Sequence, residues 1–167
     1  EYYSENKNEL IKKAAEWIKE NPERRKIISN KWRKENPYYE KVRRKTDPIY
    51  KLRTYVRARI STGIRRNGFG KNTKSAELLG CTWGFYKEFI EEQFDKGMSW
   101  DNYGEWHIDH KIPLAAANTE PEIYALCHYT NTQPLWEFDN LSKNDEFNKE
   151  DKKKYLEWYD KNVKPIT

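Results

Sequence analysis

Three Asx–Pro steps, Asn21-Pro22, Asn36-Pro37 and Asp47-Pro48, place the tightest constraint on what this chain can fold into. Proline fixes its own φ and pushes the residue before it out of helical geometry. It suits the first position of a helix, and Asn or Asp ahead of it is a good N-cap. The N-terminal third is therefore predicted to be a string of short helices, at about 9–20, 22–34, 37–45 and 48–66, each broken before a proline. The breaks belong to a weak repeat. Trp17-Ile-Lys-Glu-Asn-Pro22 recurs as Trp32-Arg-Lys-Glu-Asn-Pro37, and Lys45-Thr-Asp-Pro48 is a shortened third copy.

Helices this short and polar have little to bury by themselves. Ile27, Ile28 and Trp32 form a narrow stripe, and Leu52, Val56 and Ile60 recur every fourth residue, with Arg53 and Arg57 on an opposed face. Charge separates this region from the rest. Residues 1–80 hold 22 Lys or Arg against 10 Asp or Glu, whereas residues 81–167 hold 10 against 17. A basic segment joined to an acidic one is the footprint of a chain that grips a polyanion with one part. We read residues 1–66 as a basic helical DNA-binding arm, with Arg53, Arg57, Arg59, Arg65 and Arg66 as candidates for phosphate-backbone contacts. The Asn67-Gly68-Phe69-Gly70 break then leads into a domain over 70–167.

In that domain the predicted elements alternate. A helix ends at Gly80, and an amphipathic one over 83–94 offers Phe85, Phe89, Ile90 and Phe94 to a core. A turn-rich stretch over 95–104 leads to a strand at 105–109. A helix capped by Thr119 runs to about 127, a second strand fits 132–136, and helices follow at about 138–147 and 151–161. The fold class is α+β, mostly helical. With aromatics at 15% and few aliphatics, the core is expected to rest on Trp, Tyr and Phe. The two cysteines, Cys81 and Cys127, belong to no CxxC pair and read as free thiols in a reducing compartment. No apolar run reaches membrane length and no signal peptide is evident, so an intracellular, cytoplasmic protein without a membrane partner is expected. The chain begins without Met, which leaves open an N-terminus upstream of residue 1.

The chemistry-bearing residues gather in the second half. All three histidines, His107, His110 and His128, lie within or beside Trp106-His-Ile-Asp-His110 and Asn131-Thr-Gln-Pro-Leu135. Phosphodiester hydrolysis needs a water activated near neutral pH, for which a neutral His is suited, and a cation to neutralise charge on the leaving oxygen. Adjacent residues at a strand end point in opposite directions, so Asp109 and His110 can divide these two tasks. His107 is a secondary candidate on the face of Asp109. Lys143, one turn beyond Asn140, is a secondary candidate for phosphate contact, and His128 reads as structural.

His107-Ile-Asp-His110-Lys-Ile-Pro-Leu114, then His128-Tyr-Thr-Asn131-Thr-Gln-Pro-Leu-Trp136 and Asp139-Asn140-Leu-Ser-Lys143, resembles the HNH endonuclease family, the ββα-metal or His-Me finger, of the phage and mobile-element type. The resemblance covers about residues 76–147 and implies a ββα core over about 105–147. It implies that His110 is the general base, that Asp109 and Asn140 hold one divalent metal, and that Asn131 steadies the loop bearing the base. Asn rather than His at 140 favours Mg²⁺ or Mn²⁺ over a zinc-type cluster. The Cys pairs that brace many members of that family are missing, so the finger must be held by packing, with Trp100, Trp106 and Trp136 the candidates. The implied activity is cleavage of double-stranded DNA to 5′-phosphate and 3′-hydroxyl ends. Nicking by a monomer and double-strand cleavage by a homodimer both stay open, as do homing, restriction, packaging and defence roles. Two rivals stand beside it: a DNA-binding or packaging accessory with a structural finger, and an RNA-directed nuclease.

Overall fold

The computed structural model describes residues 2–163, with side chains from Asn6 onward. It resolves into two compact units, residues 1–44 and 45–167. The first holds α1 (Tyr2–Glu20), α2 (Pro22–Glu35) and most of α3 (Tyr39–Thr46). Each ends at one of the predicted Asx–Pro breaks. The capping, however, runs in two directions. Asn21 and Asn36 turn their amides backwards, donating from Nδ2 to the carbonyls of Trp17 and Trp32 at 3.0 and 2.9 Å. Asp47 turns forward, its Oδ1 accepting from Tyr50 N at 2.9 Å. An amide has an N–H to offer the orphan carbonyls that end a helix, whereas a carboxylate can only accept and must serve the orphan N–H groups that begin one. Neither α2 nor α3 buries a residue, and Ile27, Ile28 and Trp32 all stay exposed.

The second unit starts at Lys45 and contains α4 (Pro48–Arg66), the stretch that the sequence reading assigns to the basic arm. Leu52, Val56 and Ile60 continue their four-residue spacing to Ile64, and all four are buried. This stripe packs on α5 (Ser75–Leu79) and α6 (Trp83–Glu91). The basic residues on its flanks give α4 the composition of the arm, but its apolar stripe makes it a wall of the domain. Gly63 lets Leu114 lie against the helix: a Cβ there would fall 2.4 Å from Leu114 Cδ1. Gly80 closes α5 at φ +76°, as the sequence predicts, and Thr82 Oγ1 caps α6 by accepting from Phe85 N at 3.3 Å. Phe89 and Ile90 face the core, while Phe85 points outward, and α6 stops before Phe94.

The sheet has two strands, β1 (Trp106–His110) and β2 (Thr132–Trp136), paired antiparallel with Trp106 opposite Trp136 and His110 opposite Thr132. Between them lies α7 (Glu120–Leu126), capped by Thr119; after them come α8 (Glu137–Lys143) and α9 (Lys149–Asn162). Trp106 is fully buried, donates from Nε1 to Ser99 O at 2.7 Å, and has Phe94, Trp100 and Tyr103 around it with ring centroids 4.8–5.2 Å away. That aromatic cluster fixes the outer end of the hairpin; Asp109 and His110 sit at the other end. The fold is α+β and mostly helical, and among the described residues no helix is long and apolar enough to cross a membrane. A chain starting at Lys45 should unfold in one cooperative calorimetric transition, whereas one starting at Gly70, deprived of the α4 stripe, should show none.

Candidate catalytic centre

The hairpin register and the helix that follows decide what meets Asp109. β2 runs directly into α8, tied back by Glu137 N donating to Glu105 O at 2.9 Å, and α8 packs against both strands. Lys143, at the end of α8, thereby reaches across β1, its Nζ 3.1 Å from Asp109 Oδ2 and 3.0 Å from the backbone oxygen of His110. Gln133 faces Asp109 in the register and donates Nε2 to Oδ2 at 3.2 Å. From the other side, α4 contributes Arg59, whose Nη2 lies 3.6 Å from Asp109 Oδ1 and whose Nε donates to His110 Nδ1 at 3.2 Å.

Asp109 is 3% exposed and His110 4%. A buried carboxylate is tolerated only when paired and hydrogen-bonded, and here two cations and an amide meet it. Burial first, then the positive charges of Arg59 and Lys143, push the His110 imidazole down to about 3. It is therefore neutral at physiological pH. Because Nδ1 accepts from Arg59, the single ring proton resides on Nε2. Arg59 is thus part of the centre as well as a candidate phosphate contact, and its position on the helix explains why. Arg59 and Arg66 share the flank of α4 that turns toward β1, whereas Arg53 and Arg57 occupy the opposite flank. Arg66 joins Arg59, Asn67, Asp109 and His110 around an open cleft of about 530 Å³. Arg65 lies outside it, donating Nε to Ser61 O at 3.2 Å.

Asn131 is fully buried, with its side chain committed to backbone. Nδ2 donates to Ile112 O at 2.9 Å and Leu126 O at 2.8 Å, and Oδ1 accepts from Ile112 N at 3.0 Å. Its own carbonyl accepts from Lys111 N at 2.8 Å. These bonds fix the turn that leaves His110. Asn140 is half-buried on α8, one turn before Lys143, and its side chain makes no hydrogen bond among the described residues. His107 does not join the Asp109 cluster; it borders a second cavity, of about 270 Å³, with Tyr55, Tyr103, Arg59 and His110. His128 is structural: its Nδ1 meets Thr130 Oγ1 at 2.9 Å, and its ring fills the space where a Cβ on Gly80 would stand, 2.3 Å away. Burial pushes its imidazole down to about 4. Among the described residues no group of three or more His, Cys, Asp or Glu converges. Sequence reasoning misses the part Arg59 plays here and misses Gln133 entirely. Pairing the two predicted strands would set Gln133 against Asp109, but nothing local marks Arg59 apart from its neighbours on α4.

Fold and centre define a mostly helical α+β protein with a buried carboxylate–imidazole pair at the end of a hairpin, gripped by cations from two helices. The chain belongs to one family with uncharacterized proteins of Acanthamoeba polyphaga mimivirus. It is 31% identical to Uncharacterized protein L426 over 159 residues, 92% of this chain and 69% of that protein. It is 38% identical to Uncharacterized protein L246 over 136 residues, 77% of this chain and 57% of that one. The chain thus spans a little over half the length of L246. No protein-family profile matches the sequence, and no solved structure matches it.

Asn131→Ala should strip three hydrogen bonds from buried backbone groups and cost roughly 3 kcal/mol or more of stability. Asn140→Ala should stay within about 0.5 kcal/mol, since that side chain is bound to nothing among the described residues. Urea unfolding of both variants reads the difference.

Proposed function

We propose that this chain is a metal-dependent DNA endonuclease of the HNH, ββα-metal type. The observation that carries the reading is that Asp109 and His110 lie buried side by side at the end of a hairpin that runs straight into a helix, with Lys143 and Arg59 against the Asp109 carboxylate. Two cations face one carboxylate there, so the centre has spare positive charge for a phosphodiester.

The donor chemistry fits a hard divalent ion. Asp109 offers carboxylate oxygens, and Asn140, one turn from the lysine that reaches Asp109, has an uncommitted amide. Oxygen donors of this kind suit Mg²⁺ or Mn²⁺ better than zinc. Held by Asp109 and Asn140, such an ion would neutralise charge on the scissile phosphate and the departing 3′ oxygen. Lys143 and Arg59 are the groups that compensate Asp109 meanwhile, and both are on long side chains able to turn away.

His110 acts as the base. With Arg59 donating to Nδ1, that nitrogen is a poor proton acceptor. A phosphate entering the cleft draws the Arg59 guanidinium to its own oxygens, which frees the Nδ1 lone pair and raises its basicity. His110 then takes a proton from water as the water oxygen forms a bond to phosphorus and the bond to the 3′ oxygen breaks, the departing oxygen taking its proton from a solvent water. The products carry 5′-phosphate and 3′-hydroxyl ends. Asn131 keeps the imidazole in place through the turn at Ile112. Arg66 in the cleft, and the exposed Arg24, Arg25, Lys26, Arg33 and Lys34 of the N-terminal unit, supply sequence-independent attraction to duplex DNA. A homodimer would cut both strands; one copy would nick. An intracellular setting, where DNA is the substrate, accompanies this reading.

Supercoiled plasmid with Mg²⁺ or Mn²⁺ tests it. The intact chain should nick or linearise the plasmid, EDTA should stop it, and His110→Ala should lose at least about 100-fold in rate while keeping DNA affinity. Tight binding without cleavage in either metal would favour the accessory-protein reading, and preferential cleavage of RNA would favour the RNA-directed one.

A further inference from the structure

We infer that the flank of α4 facing away from the catalytic centre carries a second nucleic-acid site, a groove bordered by Arg53, Arg57, Lys71, Lys74 and Ser75 that holds backbone phosphates of bound DNA. The inference rests on the nucleic-acid reading above, but not on cleavage. The groove encloses about 400 Å³ between α4, the segment leading into α5, and Trp83 at the start of α6. It belongs wholly to the second unit.

Four cations converge on it. Arg53 lies over the Tyr50 ring at 5.1 Å, and Lys74 Nζ pairs with Glu77 Oε1 at 3.3 Å. Glu77 is the carboxylate beside it, and its other oxygen accepts from Lys74 N at 3.3 Å. Arg57 and Lys71 have no ion-pair partner among the described residues. Cations brought together without matching carboxylates repel one another, and an anion between them relieves that repulsion. Phosphate oxygens are the anions that Arg and Lys both receive well.

Ser75 points to the same ligand independently. It is 3% exposed and borders the groove, and its Oγ is the one buried side-chain N or O atom among the described residues with no hydrogen-bond partner. Native folds rarely leave a buried hydroxyl unsatisfied. A phosphate oxygen accepting its O–H would complete it, with Arg57 and Lys71 supplying charge alongside.

The spacing along α4 makes this site separate from the catalytic one. Arg53 and Arg57 are four residues apart on one flank, Arg59 and Arg66 seven apart on the other, and the buried stripe lies between them. Phosphates on both flanks would hold the duplex at two points, so the cut strand is set by the groove as well as by the centre.

The test measures duplex-oligonucleotide binding to the full chain by fluorescence anisotropy across a KCl series, in EDTA, so that no cleavage is needed. Replacing Arg57→Gln together with Lys71→Gln should weaken binding about tenfold and make log Kobs against log salt shallower by nearly 2, about 0.9 for each phosphate left without its cation. Ser75→Ala should weaken binding a few-fold without lowering Tm, which a merely structural serine would not do. Lys153→Gln with Lys154→Gln, exposed on α9, should leave the slope unchanged. An unchanged slope in the Arg57/Lys71 variant, or an equal change in the α9 control, would overturn the inference. Plasmid cleavage that persists alongside an unchanged slope removes the groove and leaves the nuclease; a changed slope without any cleavage does the reverse.

Discussion

A buried carboxylate, Asp109, held between Arg59 from α4 and Lys143 from α8, organises the second unit. A charge of this kind is tolerated inside a protein only while its partners stay in place. Those partners come from far before it and far after it in the chain, so Asp109 is satisfied only where α4, packed by its apolar stripe, and α8, continuing from β2, meet at one hairpin. The same arrangement sets the electrostatics of the cleft. It holds His110 neutral, leaves positive charge in excess, and puts both on the wall of an open cleft.

Around this pair the structure is fixed by hydrogen bonds that do no chemistry. Asn131 occupies the turn after His110 with all its bonds directed at backbone. Tyr86 donates its hydroxyl to Thr132 Oγ1 at 3.2 Å, bracing the start of β2 from α6. His128, Thr130 and Tyr155 link the segment before β2 to α9, with Thr130 Oγ1 and Tyr155 OH 3.1 Å apart. Two of the three histidines thus have separate duties, one at the centre and one in the frame, and burial lowers the pKa of both.

Much of this is legible from residues alone. Proline geometry locates α2 and α4 to within a residue, Thr119 marks the start of α7, and two short apolar runs around the Asp-His and Asn positions become the paired strands. What local reasoning does not reach are facts decided at a distance. The high density of Arg and Lys on α4 reads as an arm, because charge is counted per residue whereas burial is decided by a stripe of four. Phe85 has the same apolarity as Phe89, but the helix phase turns one out and the other in. Asn21 and Asn36 read as caps of the following helix, because only the folded geometry shows which orphan groups their amides satisfy.

In the proposed function Asp109 is a cation site, held in reserve by Lys143 and Arg59 until a divalent ion takes it. Titration of the intact chain with Mn²⁺, followed by electron paramagnetic resonance of the free ion, tests this without DNA and without turnover. The account predicts one ion bound per chain, with that binding lost in Asp109→Asn and tightened in Lys143→Ala. No uptake by the intact chain, or uptake unchanged in Asp109→Asn, would contradict it.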